Sequence, residues 1–509
     1  VTDFTLPSID YQAISPMLIL FGAACLGVLV EAVLPRRGRY PVQLGLSLAA
    51  ILAGFVAVVA LAGTEVVTAG GAVAIDGPAL FMQGSLLLFG FLGLLLMAER
   101  RVEPGGAFVA QAAVPVGSQA DLRQASATSA TEVFPLALFA LGGMALFLAA
   151  NDLLTMFVAL EVLSLPLYLM CALARRRRLL SQEAAVKYFL LGAYSSAFFL
   201  FGLVLAYGFA GSVDFDAINR AVDESTMHQG LLYASVALIA VGLLFKAAAA
   251  PFHVWTPDVY QGAPTPVTAF MAACTKVAAF GALLRITYVA FEQLAWDWLP
   301  VLGTVAVLTM LLGAVLAVTQ TDIKRLLAYS SIANAGYVLV GILAIDRAGI
   351  STAMFYLVAY GFTVLAAFGV VSLIRDKEGE STHLSKWAGL GRRSPLVAGV
   401  FTLLMLALAG IPLTGGFTAK FAVFSAALSA GEAWLVIAGV ISSLIIAFPY
   451  LRVVVMLWLS EPGETTATVA KPGALTATAL GIGALATLAL GLVPGPLLDL
   501  AHNAAVFAP

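Results

Sequence analysis

Apolar runs of roughly 20 residues follow one another along almost the whole chain, and each is long enough to cross a hydrocarbon core of about 30 Å as a helix. The pattern predicts an all-α polytopic membrane protein with about fourteen transmembrane helices. The runs cover 12–34, 40–62, 77–97, 133–150, 152–173, 182–209, 230–260, 264–291, 297–318, 322–344, 350–375, 394–430, 433–459 and 473–500. Two of them are interrupted. Between Lys246 and Lys276 lie Pro251, Pro257, Pro264 and Pro266, more than a single unbroken helix accommodates. The other reads Gly410-Ile-Pro412-Leu-Thr414-Gly415-Gly416, just ahead of Lys420. Non-helical backbone at membrane depth is tolerated only within protein or beside water, so both runs are expected to be discontinuous helices, with Thr414 and Thr418 satisfying some of the freed groups. The first run follows a segment with Asp3 and Asp10 but no Lys or Arg, and it lacks a small-residue cleavage site, so it reads as a crossing helix rather than a secretory signal.

Each interrupted run is the fourth in a series of five, which suggests two five-helix repeats, 133–291 and 297–459, each containing one broken helix. Five is odd, so the repeats are expected to face the membrane in opposite directions. Three helices and a long loop (1–132) precede them and one helix (460–509) follows. Residues 98–132 are rich in Gln, Ser, Ala and Gly and read as a flexible or contacting loop without chemistry. The segment 376–393 is similar apart from Trp387.

Composition agrees with a membrane protein, with 61% hydrophobic and 11% charged residues. A net charge of −2 says little, because the placement of charge is what carries information. With the N-terminus outside, the inner loops hold Arg36, Arg37, Arg39, Arg100, Arg101, Arg123, Arg175 to Arg178, Lys324, Arg325, Arg375, Lys377, Lys386, Arg392, Arg393 and Lys471, whereas the outer loops hold only Arg220 and Arg347. This is the positive-inside asymmetry, and it puts both termini outside. The three cysteines, Cys25, Cys171 and Cys274, are far apart and form neither a metal spacing nor a disulfide framework.

Six basic residues remain within predicted helices: Lys187, Lys246, Lys276, Arg285, Lys420 and Arg452. Arg285 and Arg452 lie about 9–10 Å from a helix end and are expected to snorkel to the interface, and Lys187 is near enough to do the same. Lys246, Lys276 and Lys420 are too deep. Glu161 is also deep, about 14 Å into its helix, with Ser164, Leu165 and Tyr168 on its face. Charges there cost about 2.5–3.5 kcal/mol each on insertion scales, so they must be paired or hydrated. A carboxylate and amines that alter one another's proton affinity can pass a proton from Lys246 to Lys276 and on to Lys420 through water. The blander alternative, a static Glu161–lysine pair that fixes packing, leaves the other lysines and both breaks without a reason. His253 is expected to stabilise its break by hydrogen bonding or to relay protons.

There is no G-x-x-x-x-G-K-[ST], no G-x-G-x-x-G and no C-x-x-C-H. The chain is therefore expected to bind no nucleotide, haem, iron–sulfur centre or metal itself, and to be driven by an ion gradient or a partner.

At Pro251-Phe-His253-Val-Trp255-Thr-Pro257-Asp258-Val-Tyr260-Gln-Gly-Ala-Pro264 the sequence resembles the antiporter-like membrane subunits of respiratory complex I, on the subunit N branch of NADH-quinone oxidoreductase. The L and M branches, and the D subunits of multisubunit sodium/proton antiporters, usually show a Trp-Leu-Pro-x-Ala-His type string there. Lys420 stands where the M branch has a glutamate, and the long C-terminal lateral helix of the L branch is lacking. The resemblance implies a proton-translocating membrane-arm subunit that helps couple quinone reduction elsewhere in the complex to pumping. Glu161, Lys187, Lys246, Lys276 and Lys420 would form its relay. Asn334 stands where relatives often have a histidine and cannot take up a proton at neutral pH. NADH, flavin, iron–sulfur clusters and quinone would reside on partner subunits. The partners implied are other membrane-arm and redox subunits and the lipid bilayer, not nucleic acid, in a bacterial inner membrane or its equivalent. A subunit of a cation/proton antiporter complex and a structural membrane scaffold are the alternatives.

Overall fold

A computed structural model describes residues 8–508 except 104, 110–113, 115–117, 121–129, 225–228, 378 and 463–465. Arg123, counted among the inner basic residues, lies outside the described residues, as does much of the loop 98–132. Helices occupy every run read as a crossing. Eleven among the described residues are long and apolar enough to span a membrane. The other three positions hold Val133–Ala149, Ile323–Ile342 and the divided pair Pro395–Ala409 and Gly415–Ser429. One expectation needs correcting: the run 473–500 is two helices, Ala474–Leu492 and Gly495–Ala504, because Pro494 and Pro496 cannot supply the amides that a continuous helix needs.

Burial sorts the helices. Thr265–Ala290 is wholly enclosed and Arg347–Leu373 nearly so, whereas two-thirds of the apolar window of Ser15–Val33 and of Arg36–Ala60 lies open at the surface. Sequences that are apolar all round thus form both the protein interior and the faces that lipid covers.

Successive connections gather at alternate ends of the bundle. At one end, Arg176 and Arg375 meet on Glu103 at 2.6 and 2.7 Å. The strand Ile374–Asp376 there pairs with Gly379–Glu380 and with Thr468–Val469. At the other end, a hairpin of Val66–Thr68 and Val73–Ile75 meets Asn151, whose amide donates to the Ala72 carbonyl at 2.9 Å. Both described chain ends lie with that hairpin: the Asp10 amide donates to Thr68 Oγ1 at 2.8 Å, and the Ala508 amide to Asp76 at 3.1 Å. The two broken helices therefore run in opposite senses. Gln229–Gly262 travels from the hairpin end to the Arg-rich end, and Pro395–Ser429 travels back.

One of two expectations about buried arginines changes. Arg285 does not snorkel: it is 1% exposed and bonds Asp76, itself fully buried, at 2.7 Å and the Leu148 carbonyl at 3.1 Å. Asp76 also caps its own helix through the Ala79 amide at 3.0 Å. A partner on another helix satisfies this cation more closely than a headgroup 9 Å away. Arg452 does reach toward the Arg-rich end, where it ends on the carbonyls of Val318 and Gln320 at 2.9 and 2.6 Å.

The loop after residue 97 is not featureless either. Glu99 accepts from the amides of Arg101 and Gly473 and from Thr476 Oγ1, at 2.6, 2.7 and 2.6 Å. Burial pushes this carboxyl up, but the hydrogen bonds from Thr476 and the amides outweigh it and hold the group below the usual carboxylate range. Its anchoring is thus complete at neutral pH and is lost as pH falls through its lowered pKa.

Removing Asp76 leaves a buried guanidinium without its counter-charge. Asp76→Ala should destabilise the hairpin end by about 3–5 kcal/mol, read as a lowered thermal transition of the purified protein or as a failure to accumulate in the membrane.

Candidate functional site

The first break lies between Gln229–Ala247 and Trp255–Gly262. Its prolines all occupy positions that require no helical amide. Pro251 is in the turn, Pro257 is the third residue of the short helix, Pro264 precedes Thr265 and Pro266 is in the next first turn. Ala248 takes a left-handed φ of 58°, turning the chain out of the helix.

The carbonyls this turn would strand are claimed one by one. The Ala249 amide donates to Leu244 O at 2.9 Å, and the indole Nε1 of Trp255 reaches back to Phe245 O at 3.0 Å. Lys276 Nζ donates to Ala247 O at 2.6 Å and to Ser331 O at 3.2 Å. The freed Ala250 amide donates to Thr309 Oγ1 at 2.9 Å. His253 hydrogen-bonds the Pro251 backbone within the turn, as expected of a break-stabilising residue, while its Nδ1 is buried without a partner. Met271–Thr275, directly before Lys276, is a π-helical turn, with Thr275 Oγ1 on the Met271 carbonyl at 2.6 Å.

Lys246 ends the first half-helix at 4% exposure. Its ammonium lies 3.5 Å from the Tyr188 hydroxyl, and 5.2 and 5.5 Å from the ring centres of Tyr188 and Tyr168. Tyr188 stacks on Trp255 at 4.6 Å, so the indole that ties the break also holds the lysine's aromatic partner. Glu161 is half-buried on Leu153–Cys171, which Asp152 caps through the Thr155 amide at 2.7 Å. Its carboxylate is within electrostatic range of both Lys246 and Tyr168. The face named for it divides: Ser164 and Tyr168 turn inward, whereas Leu165 is exposed. Lys187 sits apart from Lys246. It bonds Glu183 and Asp258, each at 2.7 Å, with a 41% exposed side chain, and Asp258 is shared with Arg325 at 2.6 Å.

At the second break, Gly410 has φ 85° and Leu413 φ 71°, both left-handed. Ala407 approaches so closely that a Cβ on Gly416 would stand 1.9 Å from its carbonyl oxygen. Pro412 lies in the turn and Gly415 begins the second half-helix. Thr414 Oγ1 donates to Ile411 O at 2.7 Å and Thr418 Oγ1 to Thr414 O at 3.4 Å, as expected of them. Lys420 Nζ donates across the break to Leu408 O at 3.3 Å and Ala409 O at 3.2 Å, and sits 4.7 Å over the Tyr337 ring.

Lys420 shares a cavity with Asn334, Tyr356, Tyr360 and Thr363, with about 10 Å³ of room for water centres, roughly one molecule. Asn334 accepts from Tyr356 at 2.6 Å and donates to the Ser330 carbonyl at 2.8 Å. Ser330 in turn contacts the Tyr450 hydroxyl. Tyr337 donates to Ser442 Oγ at 3.1 Å and accepts from Ser443 Oγ at 3.0 Å. The structure thus brings Lys246 and Lys276 to the first break and Lys420 to the second, holds Glu161 within electrostatic range of Lys246, and leaves Lys187 outside. Sequence reading missed Tyr188, Tyr337, Tyr356 and the indole of Trp255. It also missed Lys324, counted among loop charges but only 3% exposed. The position of Tyr188 beside Lys187 was the one available hint.

A model of the NADH:quinone oxidoreductase/Mrp antiporter transmembrane family matches residues 150–446. The chain is 67% identical to NADH-quinone oxidoreductase subunit N of Salinispora arenicola (strain CNS-205) over 515 residues, covering 100% of each. It is 58% identical to that subunit of Rhodococcus opacus (strain B4), covering 98% of this chain and 97% of the relative. Among solved structures, a chain of respiratory complex I from Thermus thermophilus with bound Aureothin is 33% identical, with a TM-score of 0.77 over 96% of this chain and 99% of that one. A chain of the Mrp complex from Dietzia sp. DQ12-45-1b shares the fold, at 24% identity and TM-score 0.80 over 97% of each.

The close approach at Gly416 gives a test of the second break. Gly416→Ala should force the half-helices apart and cost roughly 1–3 kcal/mol, seen as a lower unfolding temperature of the purified protein.

Proposed function

The chain belongs to the subunit N family of NADH-quinone oxidoreductase, and from that premise we propose which of its residues carry protons. It is a multi-pass membrane subunit of a proton-translocating complex and performs no redox chemistry itself. In the reading proposed here, Glu161, Lys246, Lys276 and Lys420 form a relay between the two breaks. Glu161 sets the charge of Lys246, Lys276 receives the proton, and Lys420 passes it on. The single observation that carries this is that Lys276 and Lys420 each donate to the freed carbonyls of a broken helix, in a polar interior that reaches Asn334.

Lys187 acts at one remove, through Asp258, on the short helix that begins with Trp255. Asn334 conducts by holding water and the Tyr356 hydroxyl rather than by titrating. Residues 133–291 and 297–459 are inverted repeats in this reading, supported by the opposite senses of their broken helices. Both termini lie outside, opposite the Arg-rich loops. NADH, flavin, iron–sulfur clusters and quinone belong to partner subunits of the complex. A subunit of a cation/proton antiporter shares the fold, but the identity to subunit N relatives over the whole chain favours the respiratory reading.

Lys246→Ala, Glu161→Gln and Lys420→Gln, the last keeping an N–H donor for the second break, should each lower NADH-driven proton uptake into inverted vesicles by at least about tenfold in the assembled complex, with subunit content unchanged. Normal pumping by all three would leave these groups as scaffold.

A further inference from the structure

A recess with a strongly polar lining opens at the Arg-rich end, with a volume of about 80 Å³, space for several water molecules. Arg177, Arg375, Glu103, Lys324, Glu380 and Thr265 are among the residues that line it. Lys324 is buried, yet its amine reaches this recess. Its Nζ donates to the Ala263 carbonyl at 2.8 Å, the residue that ends the short helix of the first break, and lies 3.8 Å from Glu380 Oε1. That carboxylate accepts from Thr265 Oγ1 at 2.6 Å, and Arg177 holds its backbone carbonyl at 2.9 Å.

Beyond Lys324 the protein closes, but polar groups continue. Cys171 is within electrostatic range of both Lys324 and Lys246, so both amines lie in the neighbourhood of one thiol. From the same short helix, the Tyr260 hydroxyl lies beside buried Ser331, whose carbonyl holds Lys276. A buried amine, paired with a carboxylate, thus lines the recess on one side and neighbours polar groups near the two lysines of the first break on the other.

The geometry points to this recess as the proton-uptake vestibule of the chain, with Glu380 and Lys324 as the pair that takes a proton from its water and hands it inward. The inference rests on the relay reading above. A hydronium entering the recess gives its proton to the neutral Lys324 amine and leaves as water, and the Glu380 carboxylate steadies the ammonium that forms. The amine then releases the proton toward Lys246 or Lys276 and returns to neutral.

Lys324→Arg keeps a donor for Ala263 but stays protonated, so a purely structural role tolerates it and a transfer role does not. Glu380→Gln keeps an acceptor for Thr265. In assembled complexes both should lower NADH-driven pumping at least about tenfold. Separately, Ser372→Cys on the cavity wall, with Cys25→Ser, should be labelled by a membrane-impermeant maleimide from one side of the membrane only, and labelling should slow pumping. Normal pumping in both charge variants while Lys246→Ala is inactive overturns the vestibule and leaves the relay standing. Normal pumping in all three removes the relay as well. Absence of labelling at residue 372, even should Lys324→Arg fail to assemble, overturns the vestibule by itself.

Discussion

A membrane interior supplies no water for a carbonyl that has lost its helical partner, and this chain interrupts two helices there. Everything at the centre of the molecule follows from how those carbonyls are met. Lys276 serves Ala247, Lys420 serves Leu408 and Ala409, and the indole of Trp255 serves Phe245. The lysines are held at depth because the breaks need donors, and the breaks persist because the lysines provide them. Architecture and charge are therefore one arrangement, and a truncated lysine removes a hydrogen-bond donor along with a buried amine.

The first break is also where the two halves of the chain meet. The Ala250 amide ends on Thr309, Lys276 on Ser331, Arg325 on Asp258 and Lys324 on Ala263. Each contact joins a residue before 291 to one after 297, and all four lie at or next to the interruption. A displacement of either half is thus felt first at unwound backbone, the part of the structure with the fewest ladder bonds to resist it.

Much of this was legible in the residues. Hydropathy gave the helices, and proline and glycine gave both breaks, because those signals are local and survive any packing. Depth from a helix end was a weaker guide. It placed Lys246, Lys276 and Lys420 correctly in the interior, but it sent Arg285 to the interface, since nothing local announces that Asp76, more than two hundred residues earlier, will face it. Lys324 failed the other way: its sequence position is a loop edge, and only the packing of Ala263 and Glu380 against it makes it buried. The tyrosines around the lysines were invisible for the same reason, as aromatic residues in apolar helices look like ordinary core.

An ammonium carries three N–H groups, and a neutral amine carries two plus a lone pair. Lys276 spends two on Ala247 and Ser331, and Lys420 spends two on Leu408 and Ala409. The third hydrogen of each is the one that can depart without orphaning any backbone oxygen. A neutral amine at either position still has an N–H for each of its two backbone oxygens, though it holds them less strongly than an ammonium, so the ties across the breaks do not require the full charge.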